Sequence, residues 1–419
     1  MAERKRILPK QKQENLAEKG KQVEKRKERK KKEENKQGQD KCPYMEKCGG
    51  CQYLYLTYEK QCEIKQKQVK ALLGKYGKVE PMVKMEQPYY YRNKVHAVVD
   101  RDRKGNIITG VYQKGTHRTV SVEHCKIENQ KADAIIKTIR KLLKSFKIKV
   151  YDEDTEYGLV RHILVRCAAK TGQVMVVLVT ASPIFPSKNH FVKALREAHP
   201  EITTIVQNIN PRGTSMVLGI KEQVLFGKGY IEDILCEKTF YISSRSFYQV
   251  NSAQTEKLYR LALDFAQLTG GETVIDAYCG VGTIGIVAAD KAKKVIGVEL
   301  NQDAVKDAVK NARNNQEENV VFYQGDAGVF MKDMAAAGEK VDVVLMDPPR
   351  SGSTEEFIEA VKEIAPERVV YISCNLETLA RDLEYFEKSG YRMRHAVPMD
   401  MFPWTEHVET IVGLQRRDM

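Results

Sequence analysis

Residues 246–419 predict an α/β fold with a doubly wound parallel sheet, and residues 42–245 predict a mixed α+β domain ahead of it. Three observations carry that reading. From about Phe247, short apolar strands alternate with helical segments, the pattern of βαβ units. One of those strands runs straight into a glycine-rich turn. Upstream, apolar strands alternate with basic and polar stretches instead. A chain of 419 residues is long enough for two or three domains and a sizeable core. Its 42% apolar and 30% charged content is that of a globular protein.

Residues 1–41 hold 16 Lys/Arg against 8 Asp/Glu, so more than half of the net charge of +13 sits there. The stretch has no aromatic residue and cannot bury enough surface to offset its ordering entropy. A disordered or transiently helical tail is expected, with a charge suited to a polyanion such as nucleic acid. No apolar run approaches the roughly 18 residues that cross a bilayer. The basic, polar start is not that of a signal peptide. A cytoplasmic protein without membrane association is therefore expected.

A cysteine-rich element at 42–51 follows the tail, then a helix across Tyr58–Tyr76. The central domain is expected to contain strands Lys94–Asp100, Gly158–Ala168 and Gln173–Thr180, with amphipathic helices at Lys131–Phe146 and Asn189–His199. In the last domain the strands are Thr273–Tyr278, Val295–Glu299, Val320–Gln324, Val341–Met346 and Val369–Ser373. Helices Ile284–Ala289 and Ala304–Asn314 lie between them. Doubly wound sheets bind ligands at the carboxyl ends of their strands, so residues there are the site candidates.

The first of these strands leads into Cys279-Gly280-Val281-Gly282-Thr283-Ile284-Gly285, a G-x-G-x-x-G pattern. The glycines allow a tight turn and close approach of a ligand to backbone. The next strand ends at Glu299, 19 residues after Gly280, where a carboxylate can accept from ribose hydroxyls. That much suits a nicotinamide dinucleotide and S-adenosylmethionine alike. Asp276, just before the turn, and Asp347, in Asp347-Pro-Pro-Arg350, favour a cationic sulfonium ligand over a pyrophosphate. The two prolines make an extended exit from the strand and put Asp347 at the mouth of the sheet.

The strand ending at Ser373 continues into Cys374-Asn375. A thiolate at the carboxyl end of the sheet can be a nucleophile, although cysteine is also a common core residue. Near the C-terminus, Val408 and Thr410 flank Glu409, which therefore faces the other side of its strand and can act as a base.

Nine cysteines are too few for a disulfide scaffold, and the count is odd. Cys42-x5-Cys48-x2-Cys51 suits a metal centre instead: a [4Fe–4S] cluster, or zinc with four thiolates. Spacing leaves the fourth ligand open between Cys62 and Cys125. Cys167, Cys236 and Cys279 read as core residues.

Taken together, Phe247-Tyr-Gln249-Val-Asn251, Asp276-Ala-Tyr-Cys-Gly-Val-Gly-Thr283, Asp347-Pro-Pro-Arg350, Ser373-Cys-Asn375 and His407-Val-Glu409 occur in this order. The set resembles the RNA uracil-5-methyltransferase family, and especially its 23S ribosomal RNA branch, across about residues 42–419. The resemblance implies a Rossmann-like methyltransferase domain, with Cys374 as nucleophile and Glu409 as general base. It places Gln249, Tyr278, Glu299 and Asp347 at S-adenosylmethionine, with Thr283 and Asp326 nearby. In that branch the cysteine pattern holds a [4Fe–4S] cluster whose distant fourth ligand matches Cys125, giving Cys42, Cys48, Cys51 and Cys125.

The expected partner is RNA, most of all 23S ribosomal RNA, and nothing in the sequence marks a protein partner, so a monomer is expected. Tyr89-Tyr-Tyr-Arg-Asn-Lys94 can stack on bases and hold phosphates, and Arg161-His162 and Arg212 are weaker candidates. One departure stands out. Many ribosomal RNA members carry a small β-barrel RNA-binding domain before the cysteines, whereas the 41 residues before Cys42 are too short and too polar for it. The tRNA branch also lacks the barrel but usually lacks the cysteines too. The same reaction on tRNA is thus the first alternative, and a non-catalytic iron–sulfur RNA-binding protein the second.

Overall fold

The computed structural model describes residues 42–213 and 216–417; the expected tail at 1–41 lies outside them. A short helix α1 (Met45–Cys48) sits within the cysteine element, and α2 (Tyr58–Leu73) follows. Thr57 caps α2 through its hydroxyl, which accepts from Lys60 N at 3.3 Å. A two-residue strand, β1 (Lys78–Val79), ends this segment.

The central domain is a seven-stranded sheet: β2 (Lys94–Arg101), β3 (Ile107–Tyr112), β4 (Thr119–Ser121), β5 (Val160–Cys167), β6 (Val174–Thr180), β7 (Ile202–Ile209) and β8 (Lys221–Phe226). Its order is β4-β3-β2-β5-β6-β7-β8, antiparallel except between β6 and β7. Helix α3 (Gln130–Ser145) covers one face with Ile135, Ile139 and Leu143, and α4 (Lys188–Ala198) adds Phe191 and Leu195. From the other face, Leu164, Met175, Val177 and Val179 join a core shared with the C-terminal domain. Covered on both sides, β6 reads as an unbroken apolar run rather than an alternating one.

A hairpin of β9 (Tyr230–Leu235) and β10 (Lys238–Ser243) links the two domains. Its turn residues Cys236 and Glu237 have φ of 48° and 68°, the left-handed pair of a type I′ turn. Cys236 is thus a half-buried turn residue, not the core residue expected, whereas Cys167 and Cys279 are buried. Helix α5 (Ser252–Ala266) follows, capped by Asn251, whose Oδ1 accepts from Gln254 N.

In the C-terminal domain β11 (Thr273–Ala277), β12 (Lys294–Glu299), β13 (Val320–Gln324), β14 (Val343–Met346) and β15 (Arg368–Ser373) run parallel. The intervening helices are α6 (Thr283–Ala289), α7 (Gln302–Asn314), α8 (Ala327–Ala336), α9 (Glu355–Ile364) and α10 (Leu376–Lys388). Two more strands, β16 (Tyr391–Met399) and β17 (Glu409–Arg416), complete an eight-stranded sheet of order β1-β16-β17-β15-β14-β11-β12-β13. From β11 the chain winds outward to β13 and then returns to β14 on the other side of β11. That reversal opens a crevice at the carboxyl ends of β11 and β14. β17 is antiparallel and lies between β15 and β16. At the far edge β1 pairs with β16, and Val69 and Leu73 of α2 are buried in the C-terminal core. Part of the segment that the sequence groups with the central domain therefore packs on the C-terminal one.

Candidate active site and cysteine cavity

Strand register brings the site together. Asp347 follows β14, and Cys374 follows β15, its parallel neighbour. Because β17 is antiparallel, its first residue lies at the same end of the sheet. Ser373 pairs with Thr410, so Cys374 and Glu409 are the next positions along that ladder. Three neighbouring strands thus deliver a carboxyl, a thiol and a second carboxyl to one edge. Cys374 is half-buried and lines a cavity of about 400 Å³ with Arg350, Asn375, Glu406 and His407. Asn375 caps α10, its Oδ1 accepting from Glu377 N at 3.0 Å, while its Nδ2 donates to Arg350 O at 3.1 Å.

The charges on this edge act on one another. Burial pushes the Glu409 carboxyl well above the usual range, the nearby Asp347 carboxyl adds to this, and the Arg350 guanidinium opposes it. Burial raises Asp347 as well. Two such carboxyls cannot both ionise freely. The Cys374 thiol is pushed up by burial, then by Glu409 and Asp347, and pulled down by the charge and a hydrogen bond of Arg350. Arg350 also reaches His407, its Nη2 lying 3.1 Å from Nε2. Neither Arg350 nor His407 was assigned a role from sequence, although both stand inside the quoted motifs. A cation three residues after a strand-end acid was the available signal. Gln68 and Leu72 of α2 also border the cavity, and nothing in their helical pattern marked them.

Around the glycine turn, Gly280 and Gly282 have φ of 56° and 79°. A Cβ on Gly282 would lie 2.6 Å from the Phe322 ring, whereas Gly280 has nothing within 4 Å of that position. The turn therefore presents bare backbone to the crevice. Asp276 is spent inside the protein: it is buried, and its Oδ2 accepts from Gly285 N at 2.9 Å. Burial raises its carboxyl to about 8. Glu299 braces the same turn, accepting from Gly280 N at 3.0 Å, with its other oxygen on Asn301 N. Tyr278, at φ 61°, points its hydroxyl to Ser353 Oγ at 3.4 Å. Gln249 is held through its backbone oxygen, which accepts from Asn93 Nδ2 at 3.0 Å. Thr283 meets Tyr259 OH at 2.7 Å, and Asp326 caps α8 through Gly328 N and Val329 N.

Cys42, Cys48, Cys51 and Cys125 line one cavity of about 330 Å³ beside Arg92 and Lys94. Burial raises the Cys48 and Cys51 thiols, Cys51 to about 12, and the neighbouring cysteines add to both. Cys62 is elsewhere: it is buried in α2 with its sulfur facing Asp400 Oδ2 at 3.9 Å. Of the two candidates for a fourth ligand, only Cys125 faces the other three. Among the described residues, no three His, Cys, Asp or Glu groups stand close enough to hold a single metal ion. None of the described helices is long and apolar enough to cross a membrane.

A doubly wound sheet with a bare glycine cradle at its switch point has the architecture of an α/β methyltransferase. A family profile makes this specific: that of the tRNA (uracil-5-)-methyltransferases matches residues 57–417, and the chain belongs to that family. It is an S-adenosylmethionine-dependent RNA (uracil-5-)-methyltransferase, which sets aside the nicotinamide and non-catalytic readings. An RNA methyltransferase of Halalkalibacterium halodurans is 43% identical over 382 residues, covering 90% of this chain and 83% of the relative. One from Caldanaerobacter subterraneus subsp. tengcongensis is 42% identical over 379 residues, covering 90% and 84%. Among solved structures, the tRNA (uracil-54, C5)-methyltransferase of Pyrococcus abyssi in complex with S-adenosyl-L-homocysteine superposes with a TM-score of 0.73 at 27% identity. That match covers 87% of this chain and 85% of the other.

Proposed function

We propose that this enzyme methylates C5 of a uridine in 23S ribosomal RNA, with Cys374 as nucleophile and Glu409 as base. The observation that carries the proposal is the register that sets Asp347, Cys374 and Glu409 at one edge of the sheet. The C5 carbon of uracil is a poor nucleophile. Bond formation from the Cys374 sulfur to C6 makes C5 electron-rich enough to take a methyl group. S-adenosylmethionine supplies that group as a sulfonium methyl. Glu409 then takes the C5 proton, and the C6–S bond breaks with its electrons returning to sulfur. Arg350 favours the thiolate at the start and end of this cycle. The target base leaves its stack to reach the thiol. Gln249, Tyr278, Glu299 and Asp347 would hold S-adenosylmethionine in the crevice, where the bare Gly280 backbone leaves room for it.

A [4Fe–4S] cluster at Cys42, Cys48, Cys51 and Cys125 belongs to the same reading. The four thiols line one cavity, and a cluster binds each of its thiolates through a different iron. Arg92 and Lys94 on the cavity wall suit an anionic cluster. Its chemistry would be structural, stapling residues 42–51 to the central domain.

The cysteine set supports ribosomal RNA as substrate. The Pyrococcus abyssi structure supports tRNA as the second reading. Anaerobically purified enzyme with S-adenosylmethionine, offered unmodified 23S ribosomal RNA and tRNA separately, decides between them. Digestion and mass spectrometry should find 5-methyluridine in the ribosomal RNA; product only in tRNA would keep the reaction and overturn the substrate.

A further inference from the structure

A charge pair lies fully buried behind the hairpin that carries Glu409. Lys65 of α2 donates from Nζ to Asp400 Oδ1 at 2.6 Å and to Phe402 O at 3.0 Å. Both side chains of the pair are wholly shielded from solvent. Gln61, one helical turn earlier, donates from Nε2 to Asp400 Oδ2 at 3.0 Å and accepts from Trp404 N at 2.7 Å. Asp400 directly follows Met399, whose partner across the hairpin is Glu409. Residues 400–408 are thus the connection between β16 and β17, and α2 grips it at three successive points. Trp404 has φ of 70°, a conformation that a bulky residue keeps only where its surroundings impose it. Near its end lies His407, whose ring meets Arg350 beside Cys374.

Burying two charges is costly, and an apolar pair of similar volume is often at least as stable. Stability alone therefore does not account for Lys65 and Asp400. What the pair adds is direction, because each hydrogen bond fixes one point of the connection. We infer that Lys65 and Gln61 are positioning residues, which fix through Asp400 and Trp404 where the hairpin presents Glu409 to the methylated base. This rests on the assignment of Cys374 as nucleophile and Glu409 as base.

The test separates the step before Glu409 acts from the step it performs. RNA transcribed with 5-fluorouridine carries at C5 a fluorine that no base can remove as a proton. The covalent Cys374 adduct then forms but cannot resolve. The paired variant Lys65→Met/Asp400→Leu removes both charges together, and its melting temperature reports folding. In this variant, the adduct rate on fluorinated RNA and the KM for ordinary RNA should stay within about threefold of wild type, while turnover falls roughly tenfold or more. Should the paired variant not fold, Asp400→Asn keeps the shape and should show the same split. Turnover and adduct rate falling together, or neither falling, would make the network merely structural and overturn the inference. Wild-type enzyme that forms no adduct would instead overturn the nucleophile assignment, and the inference with it.

Discussion

Replacing Glu409 with Gln should cost most activity at alkaline pH and progressively less as the pH falls. The side chain is 3% exposed, and burial together with Asp347 holds its carboxyl well above the ordinary value. Only the ionised form takes the C5 proton, so below the raised pKa the wild-type rate loses about tenfold per pH unit. The amide does not titrate. A positioned base contributes about 10²- to 10⁴-fold, or roughly 2.7–5.4 kcal/mol at ~1.36 kcal/mol per tenfold. That full factor appears only above the raised pKa. Glu409 is also one of the groups that raise the Cys374 thiol, so the variant lowers that thiol as well, and the rate of adduct formation is measured separately and divided out of the ratio. The assay is single-turnover formation of released 5-methyluridine from about pH 6 to 9, the window in which a raised carboxyl titrates. In the variant the methylated adduct keeps its C5 proton, so a covalent protein–RNA complex should accumulate on denaturing gels. The same shift sets stability. A carboxyl with a raised folded pKa costs nothing below its unfolded pKa, and its cost grows as pH rises towards the folded value. The Gln variant should therefore match wild type in melting temperature in acid and exceed it increasingly towards neutral and alkaline pH. A rate ratio independent of pH, or lost activity without trapped adduct, would refute the assignment of Glu409.

Cys374→Ala should abolish methyl transfer while equilibrium dialysis still finds S-adenosylmethionine bound; residual turnover would remove the thiol from the mechanism. Arg350→Gln removes the cation that draws the Cys374 thiol down, so the pH midpoint of thiol alkylation should move up and kcat/KM fall roughly tenfold. A Cβ at Gly285 would stand 2.7 Å from Asp276 Oδ2, so Gly285→Ala should lower stability by about 1–3 kcal/mol in denaturant melts. Cys125→Ser should lose iron and the visible absorption of the anaerobically purified protein, whereas Cys62→Ser, facing Asp400, should keep both.

The elements with a plain period were legible. The predicted strand at Val320–Gln324 is found as such, and the predicted helix at Lys131–Phe146 is found at Gln130–Ser145. β16 was missed although Arg392 and Arg394 alternate with buried Tyr391 and Met393; the exposed His395 breaks that alternation and Pro398 lacks a donor, a feature of an edge strand. It escapes the edge because β1 arrives from residues 78–79, and no local pattern foretells that pairing. Helix α5 was missed as well, although Asn251 before Leu258, Tyr259 and Ala262 was a readable cap and stripe. At the site, sequence placed Asp276 towards a ligand, but its carboxylate serves the backbone of Gly285. A strand-end acid either faces the crevice or braces the turn, and only the fold distinguishes the two. Spacing likewise could not choose between Cys62 and Cys125, because that choice depends on which face of α2 meets the C-terminal domain.

The inserted antiparallel strand explains how this sheet acquires a buried carboxyl at Glu409 on its ligand edge. In a purely parallel sheet every strand ends at the ligand edge, and the chain leaves that edge through a loop. Asp347 is a carboxyl on such a loop, in the segment that leaves β14. β17 instead begins at that edge and runs back through the sheet, so Glu409 enters a ladder, paired with Met399 and one register step from Ser373. Its burial follows from the ladder, and its raised pKa follows from that burial and from Asp347 at the end of β14, beyond β15. The same reversal needs a connection from β16, and that connection is the segment held by Lys65 and Gln61. An N-terminal helix thereby holds the segment that leads into Glu409, more than three hundred residues further along the chain.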